Sequence, residues 1–401
     1  MPPVRTLWLS LAVLLATPVL ADWEGLLDLR AVSARASPSW LEAGMGKQRW
    51  DDRHDGLRLG QAVLVGRTEL FDELSGAVVI DAADNRRHGI DLSEAWLAYK
   101  PMPSGPWRSR FKLGAFFPAL SLEHDGPGWT TTRTLSASAI NSWLGEEFRT
   151  LGLEYSLSRP GIFVGSPHDF GLTVALFKAN DPAGTLLAWR GWAMGDRITG
   201  LSETLPLPPL PIYESLRQDA RLDNFREMDG RYGYYAGLQY GYAGRLNLSA
   251  LHYDNRADPT VVQGGQWAWR TRFDHLGLQY RPDADWELLG QVMRGDTNTG
   301  PRLVYLDFRA WYALLARRLG EDRLAVRYDH FMTRQDDRLP FDNNDENGHA
   351  LTLSYSHALA RDWQLMAEWL RVFSQRPARA QLGLPVRARD DSLSLALRWH
   401  F

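Results

Sequence analysis

The chain has 401 residues, with 45 Lys and Arg against 48 Asp and Glu, a formal net charge of −3 and no cysteine. That balance argues against nucleic acid as the main partner, and the missing thiols exclude a disulfide framework and a thiolate metal site. Mean hydropathy is −0.33, as for a soluble protein, yet 11% of the residues are aromatic and 17 are Trp. A transmembrane antiparallel β-barrel reconciles the two, because only every second strand residue must be apolar and aromatic side chains girdle both membrane interfaces.

Met1 to Ala21 has the form of a secretory signal. Arg5 supplies the positive head, Leu7 to Ala16 is almost wholly apolar, and Val19-Leu20-Ala21 offers a small-residue cleavage site. The apolar run is too short to cross a bilayer comfortably, and no other stretch approaches ~18 consecutive apolar residues, so no transmembrane helix is expected. The expected organisation is a signal peptide over 1–21 and one barrel domain over 22–401. Removing Arg5 leaves 44 basic against 48 acidic side chains, a mature charge near −4.

LLDLRAVSA (26–34) alternates, with Leu27, Leu29 and Ala31 on one face and Asp28 and Arg30 on the other. A polar stretch to Asp55 follows, then LRLGQAVLVGRTEL and LSGAVVIDAAD joined by a tight turn at Phe71-Asp72-Glu73. IDLSEAWLAYK leads through PMPSGP into RSRFKLGAFFP, where Phe111, Leu113, Ala115 and Phe117 oppose Arg108, Arg110, Lys112 and Gly114. Residues 119–146 break the alternation, which resumes in FRTLGLEYSLSR and HDFGLTVALFK. Residues 180–230, with the Pro cluster LPLPPLP, form a second irregular region; loops this long are functional or disordered.

The C-terminal half is a run of hairpins with short turns at Ala243-Gly244, Arg281-Pro282-Asp283, Gly320-Glu321 and Ala360-Arg361. It ends on SLSLALRWHF, with Leu393, Leu395, Leu397, Trp399 and Phe401 on one face. An unpaired terminal strand is a liability that closure onto the first strand removes. Tight turns alternate with long connections, as between the periplasmic and extracellular ends of such barrels. Treating TLLAWRGWAM (185–194) as loop rather than strand gives an even count of about 16, with about 18 as the alternative. On the register assigned, Leu324, Val326, Tyr328, Leu351, Leu353 and Tyr355 face outward and Arg323, Ala325, Arg327, Thr352 and Ser354 inward. Leu353→Arg should then be damaging and Thr352→Arg mild.

LSEAWLAYKP and FKLGAFFPALSLEHDGPGWTTTRTLSASAINSWLGEEFRTLGLEY resemble the phosphate-selective porin O and P family in its broad sense. AWRGW (188–192), YYAGLQY (234–240), YDNRADP (253–259) and WAWRTRF (267–273) extend the likeness over most of the chain. The ending on Trp399 and Phe401 is similar to the C-terminal assembly signature of Gram-negative outer-membrane barrels. The resemblance implies a 16-stranded outer-membrane barrel, exported through the periplasm, with an inward-folded third extracellular loop. It further implies passive diffusion of small hydrophilic solutes or ions, with no enzyme activity and no cofactor. The implied partners are membrane lipid, lipopolysaccharide, the barrel assembly machinery and two further copies in a homotrimer. Phosphate-selective members line the pore with many Arg and Lys; the matching loop here has only Arg133 beside Glu123, Asp125, Glu146 and Glu147.

Loop 119–146 leaves and re-enters at the extracellular rim carrying Leu120, Leu122, Trp129, Leu135, Ile140, Trp143 and Leu144, which need burial. Folding inward supplies it, and would set Glu123, Asp125, Arg133, Glu146 and Glu147 at a constriction opposite the bases Arg108, Arg110, Lys112, Arg309 and Arg327. Capping a neighbouring subunit is the alternative for the loop, and snorkelling at the periplasmic interface for Arg108, Arg110, Arg317 and Arg323. The tract Phe341-Asp342-Asn343-Asn344-Asp345-Glu346-Asn347-Gly348 reads as a solvated loop more readily than as a Ca²⁺ site. A barrel enzyme or a plugged, non-conducting barrel remains the alternative function. His330 beside Asp329 and His275 beside Asp274 point to opposite faces of their strands, so neither pair makes a catalytic dyad.

Overall fold

The computed structural model describes residues 22–84, 89–300, 302–337, 339 and 342–401. The expected signal segment and Phe341 lie outside the described residues. Sixteen strands pair with their chain neighbours, and the last closes onto the first in an antiparallel barrel. They are β1 (Asp22–Arg35), β2 (Gly56–Phe71), β3 (Leu74–Ala82), β4 (Ile90–Tyr99) and β5 (Arg108–Phe116). β6 (Thr150–Arg159), β7 (His168–Lys178), β8 (Gly233–Tyr242), β9 (Leu246–Asp254) and β10 (Arg270–Tyr280) follow. The rest are β11 (Trp286–Thr299), β12 (Val304–Leu319), β13 (Asp322–Gln335), β14 (Glu346–Ala360), β15 (Trp363–Gln375) and β16 (Arg387–His400). The stretch 185–194 is loop, carrying a short helix over Thr185–Trp189, so the even count holds.

Closure uses the alternation read at the terminus. Leu27 stands opposite Trp399 and Leu29 opposite Leu397, all outward, while Asp28 and Arg398 meet inside. Phe401 and Gly25 exchange backbone hydrogen bonds of 2.8 and 3.2 Å. The Phe401 ring lies where a Cβ on residue 25 would stand, only 2.3 Å from its edge, so the glycine is what lets the last aromatic fold over the seam.

The outer face is apolar as expected: Leu324, Val326, Tyr328, Leu353 and Tyr355 are exposed there, while Ala325, Arg327, Thr352 and Ser354 are buried inside. The lumen is not an empty tube. The loops L1 (36–55), L3 (117–149) and L4 (179–232) enter it from the long-loop end, and most of their residues are buried. The barrel therefore has a hydrophobic core of its own, formed by loop side chains such as Ile140, Trp143 and Trp192 against Phe273, Phe308 and Phe331 of the wall.

Thr352 corrects one expectation. It is fully buried and accepts a hydrogen bond from Arg327 at 3.2 Å, so an arginine there would meet a buried like charge and is not a mild change. Asn247, exposed on the inner face at the short-turn end, is the proper control. Leu353→Arg should cost roughly 2–4 kcal/mol near the membrane midplane, and Asn247→Arg no more than about 0.5 kcal/mol. Denaturant titration of barrels refolded into vesicles measures both, and equal losses would reverse the assigned faces.

Candidate pore constriction

L3 enters the barrel at the end of β5. Phe117 stacks on Trp129 with 3.8 Å between centroids, His124 stacks on the other side of Trp129 at 3.8 Å, and the Arg149 guanidinium covers Phe117 at 3.4 Å. Burial pushes the His124 imidazole down to about 4, so it joins the stack as a neutral ring; its Nδ1 is 2.8 Å from Ser121 Oγ. The second half of L3 forms helix α1 (Ala139–Glu147), capped by the Ser138 hydroxyl, which accepts from the Asn141 N–H at 3.3 Å. All nine α1 residues are buried.

L3 then crosses to the opposite wall, where Arg327 holds it. This guanidinium is 0% exposed and donates to Glu123 and Asp329 at 2.9 Å each, to Thr134 Oγ1 at 3.1 Å, and to the carbonyls of Ser136 and Ala137 at 2.6 and 3.0 Å. Burial would raise the Glu123 carboxyl, but Arg327, with Asn141 and Ser138, outweighs it and holds the group below the usual carboxylate range. Glu368 of β15 accepts the backbone N–H groups of Leu135 and Ser136 at 2.6 and 3.1 Å. Gln291 of β11 donates to the Leu120 carbonyl at 2.8 Å and accepts from Asn141 at 2.7 Å. Arg398 of β16 donates to the Thr131 carbonyl at 2.7 Å. The inward fold expected of loop 119–146 is thus stitched to several wall strands.

L4 docks on L3 in turn. Helix α2 (Thr185–Trp189) is wholly buried, and Glu147 at the end of α1 accepts the N–H groups of Leu186 and Gly184 at 2.8 and 3.1 Å. Arg190 pairs with Glu146 at 2.6 Å. Glu346, where β14 begins, gathers three loops: it accepts the Trp192 N–H at 2.9 Å, pairs with Lys47 of L1, and lies 3.5 Å from Arg376 beyond β15. Asp196 joins Arg30 and Arg49 at 2.6 and 2.8 Å. Above these contacts Leu186, Trp189, Leu205, Leu207 and Tyr213 of L4 pack with Met45, Trp269 and Leu306 into an apolar cap.

What remains open in the lumen lies toward the short-turn end. One cavity of about 400 Å³ sits between L3 and β2–β5, lined by Arg67, Glu94, Trp96, Arg110, Lys112 and Asp125. A second, also about 400 Å³, lies between the start of L3 and β6–β10, with Ser158, Gln239, Asn247 and Gln279 in its wall. A third of about 300 Å³ holds Asp125, Arg133, Glu287 and Arg323.

The expected site residues separate accordingly. Asp125 is 47% exposed and pairs with Arg133 at 2.8 Å; Arg133 also pairs with Glu287, and both residues border the vestibule. Arg110 and Lys112 line it from the wall, Lys112 Nζ lying 4.6 Å from the Trp96 ring. Arg108 stays at the rim over Phe163, as the snorkelling alternative has it. Glu123, Glu146 and Glu147 face no open pore: the first is sealed by Arg327 and the other two hold L4. Arg309 is a correction. In β12 the even positions Leu306, Phe308, Ala310 and Tyr312 are buried inside, so Arg309 and Arg317 point outward. L4 as a second plug was not read from sequence, although Leu186, Leu187, Trp189 and Trp192 are the same signal that directed L3 inward.

No protein-family model matches the sequence, and no curated protein matches it. Among solved structures, DcaP, an outer membrane channel of Acinetobacter baumannii, is similar at 12% identity and a TM-score of 0.57, over 95% of this chain and 97% of that one. OmpF of Salmonella typhi, in complex with daunomycin, is similar at 10% identity and a TM-score of 0.55, over 95% and 97% of the two chains. An anion-selective porin of Comamonas acidovorans is similar at 13% identity and a TM-score of 0.51, over 95% and 99%. The fold is that of these outer-membrane barrels.

Arg327→Gln leaves Glu123 and Asp329 buried without their cation and should cost roughly 3–5 kcal/mol, read from denaturant unfolding; Glu123→Gln in the same chain should recover part of it. L4 docking should also depend on pH. Burial pushes the Glu147 carboxyl up from 4.5 to about 7, against its hydrogen bonds from Leu186, Trp143 and Gly184. Its contribution is therefore fully present below the unfolded value and is lost as pH rises through about 7. The hydrogen-exchange protection of the Leu186 amide should fall across that window, and Glu147→Gln should flatten the change.

Proposed function

We propose that this protein is a porin-like channel of the outer membrane for small hydrophilic solutes or ions, entered through a polar periplasmic vestibule and closed on the outside by L3 and L4 together. One observation carries the reading. The polar cavities beneath L3 abut plugs held by hydrogen bonds and ion pairs such as Arg190–Glu146, contacts that can be exchanged for water as a loop shifts. Conduction then waits on L4. L3, fixed to the wall by Arg327, sets the narrowest remaining width. Selectivity is weak, because Arg110 and Lys112 share their cavity with Glu94 and Asp125. Mixed charge of this kind does not favour the strong phosphate preference of the family the sequence resembles. A homotrimer, association with the barrel assembly machinery through Trp399 and Phe401, and transport rather than catalysis belong to the same reading. The second reading is a plugged, non-conducting barrel, favoured by the apolar cap around Trp189.

Planar-bilayer recording separates the two. The wild-type chain should show low conductance with long closures, and Glu147→Ala with Arg190→Ala should lengthen the open events. Asp125→Asn should move the reversal potential in a salt gradient toward anions, whereas Glu123→Gln should act on stability. Silence of both the wild-type chain and the loosened variant would overturn the channel reading and leave the plugged barrel.

A further inference from the structure

The start of L3 divides the open part of the lumen, because Ala119, Leu120 and Ser121 line the cavity on either side of it. The chamber against β2–β5 is charged, with Arg67, Glu94, Arg110, Lys112 and Asp125 in its wall. The chamber against β6–β10 is lined by no basic side chain. Its wall is two ranks of inward-facing residues that stand directly opposite one another from strand to strand. Ser158, Gly171, Gln239 and Ser249 make one rank, and Asp169, Gly241, Asn247 and Gln279 make the next toward the short turns. The two glycines keep this wall open: a Cβ at 171 would stand 3.2 Å from Gln239 Oε1, and one at 241 only 2.9 Å from Asp169 Oδ2. The single carboxylate, Asp169, gives its Oδ1 to the Gly161 N–H at 2.7 Å. Gln279 donates to Glu287 at 2.8 Å and accepts from Asn247 at 3.2 Å, which fixes the Asn247 amide and leaves its carbonyl free. The Gln239 amide and the hydroxyls of Ser158 and Ser249 make no hydrogen bond to protein among the described residues.

Amides and hydroxyls both donate and accept. An anion offers acceptors only, and it would give up its hydration here with no base to meet it. A cation offers donors only, and it would leave the donors of this wall unmatched. A sugar hydroxyl donates and accepts as the wall does, and the second Asp169 oxygen accepts from it as readily as from a cation. Leu122 of L3 supplies an apolar side for the C–H face of a ring. The volume, about 400 Å³, falls within the ~300–1,000 Å³ of small-molecule pockets. We propose that the chamber against β6–β10 binds a neutral sugar, which leaves the charged chamber across L3 to ions. The proposal rests on the channel reading and deepens it, by sorting solutes between the two sides of L3. The chamber opens toward the short turns, so a sugar reaches it wherever L4 stands.

The test refolds the full mature chain into micelles of lauryldimethylamine oxide, a detergent without a sugar head, and titrates it with glucose or glucosamine by saturation-transfer NMR. Glucose should bind the wild-type chain with an affinity that holds from about 0.1 to about 1 M KCl, because no charge on the ligand is screened. Q239A/N247A should weaken binding about tenfold, as expected for the loss of two neutral hydrogen bonds. Q239A alone, about threefold weaker, repeats the test with one side chain. R110Q/K112Q, in the chamber across L3, should leave glucose binding unchanged. Gln239 and Asn247 are exposed, so heat-modifiable mobility should show that both variants fold. A folded wild-type chain that binds no glucose, or variants that bind it undiminished, would overturn the sugar site. Glucosamine bound more tightly than glucose and released by salt would make the chamber a cation site and overturn it as well. Binding is read without conduction. Glucose binding by a chain that stays silent in planar bilayers would overturn the channel reading and leave the sugar site, and conduction without glucose binding would do the reverse.

Discussion

The interior depends on one buried cation. Arg327 is surrounded by two carboxylates, three hydroxyls and two carbonyls of L3, with no water-facing atom. Burying a guanidinium costs several kcal/mol, and each partner recovers part of that only by taking a fixed position. L3 is thus held less by its apolar residues, which any surface would satisfy, than by a set of acceptors that fit one place on the wall. Ile140, Trp143 and Leu144 then find Phe273 and Phe308 within reach because Ser136 and Ala137 are already fixed on Arg327. The ion pair gives the register of the loop, and the apolar contacts give most of the driving force.

The barrel therefore reverses the ordinary arrangement twice. Its strands turn apolar side chains outward and polar ones inward, as a bilayer requires. Its loops then bring apolar side chains into that polar interior, where the upper wall answers with Phe273, Phe308 and Phe331 in place of polar residues. Lower down the wall carries Ser158, Gln239, Asn247 and Gln279, and there the lumen stays open. The composition of the inner face along each strand thus marks how deep the loops reach.

Most of this was legible in the sequence, for a physical reason. A period of two leaves little freedom once one face is apolar, so the count of sixteen, the closing strand and the faces of β13 and β14 follow from residue order. Arg309 was misplaced because the inner face of β12 is the apolar one: Leu306, Phe308 and Tyr312 turn inward to meet the loops, which leaves the charged Asp307, Arg309 and Arg317 on the outer face. The inward fold of L3 was legible from its unburied Trp and Leu. The sealing of Glu123 was not, because a carboxylate on a loop reads the same whether it faces water or a buried guanidinium. L4 carried the L3 signal at greater length, but its Pro cluster reads as an exposed linker. In the folded chain Leu205, Leu207 and Leu210, set between the prolines, are buried in the cap.

The order in which the plugs depend on one another follows from where each is anchored. L3 is tied to strands: to β11 through Gln291, β13 through Arg327, β15 through Glu368 and β16 through Arg398. L4 is tied to L3 through Glu146 and Glu147, and to strands through Asp196 with Arg30 of β1 and Gln61 of β2, Ser202 with Asp91 of β4, Trp192 with the Met332 carbonyl of β13, and Glu346 where β14 begins. A strand anchor moves only if the barrel deforms, and the barrel is a closed hydrogen-bonded ring. A loop anchor yields when its neighbour yields. Displacing L3 would remove a surface on which L4 rests, whereas L3 keeps wall anchors of its own that do not pass through L4. Burial raises the Glu146 carboxyl despite the Arg190 guanidinium beside it, so the charge that ties L4 to L3 is held against its own desolvation. The strand anchors of L3 are separate from L4, and they alone hold the roof of the vestibule in place.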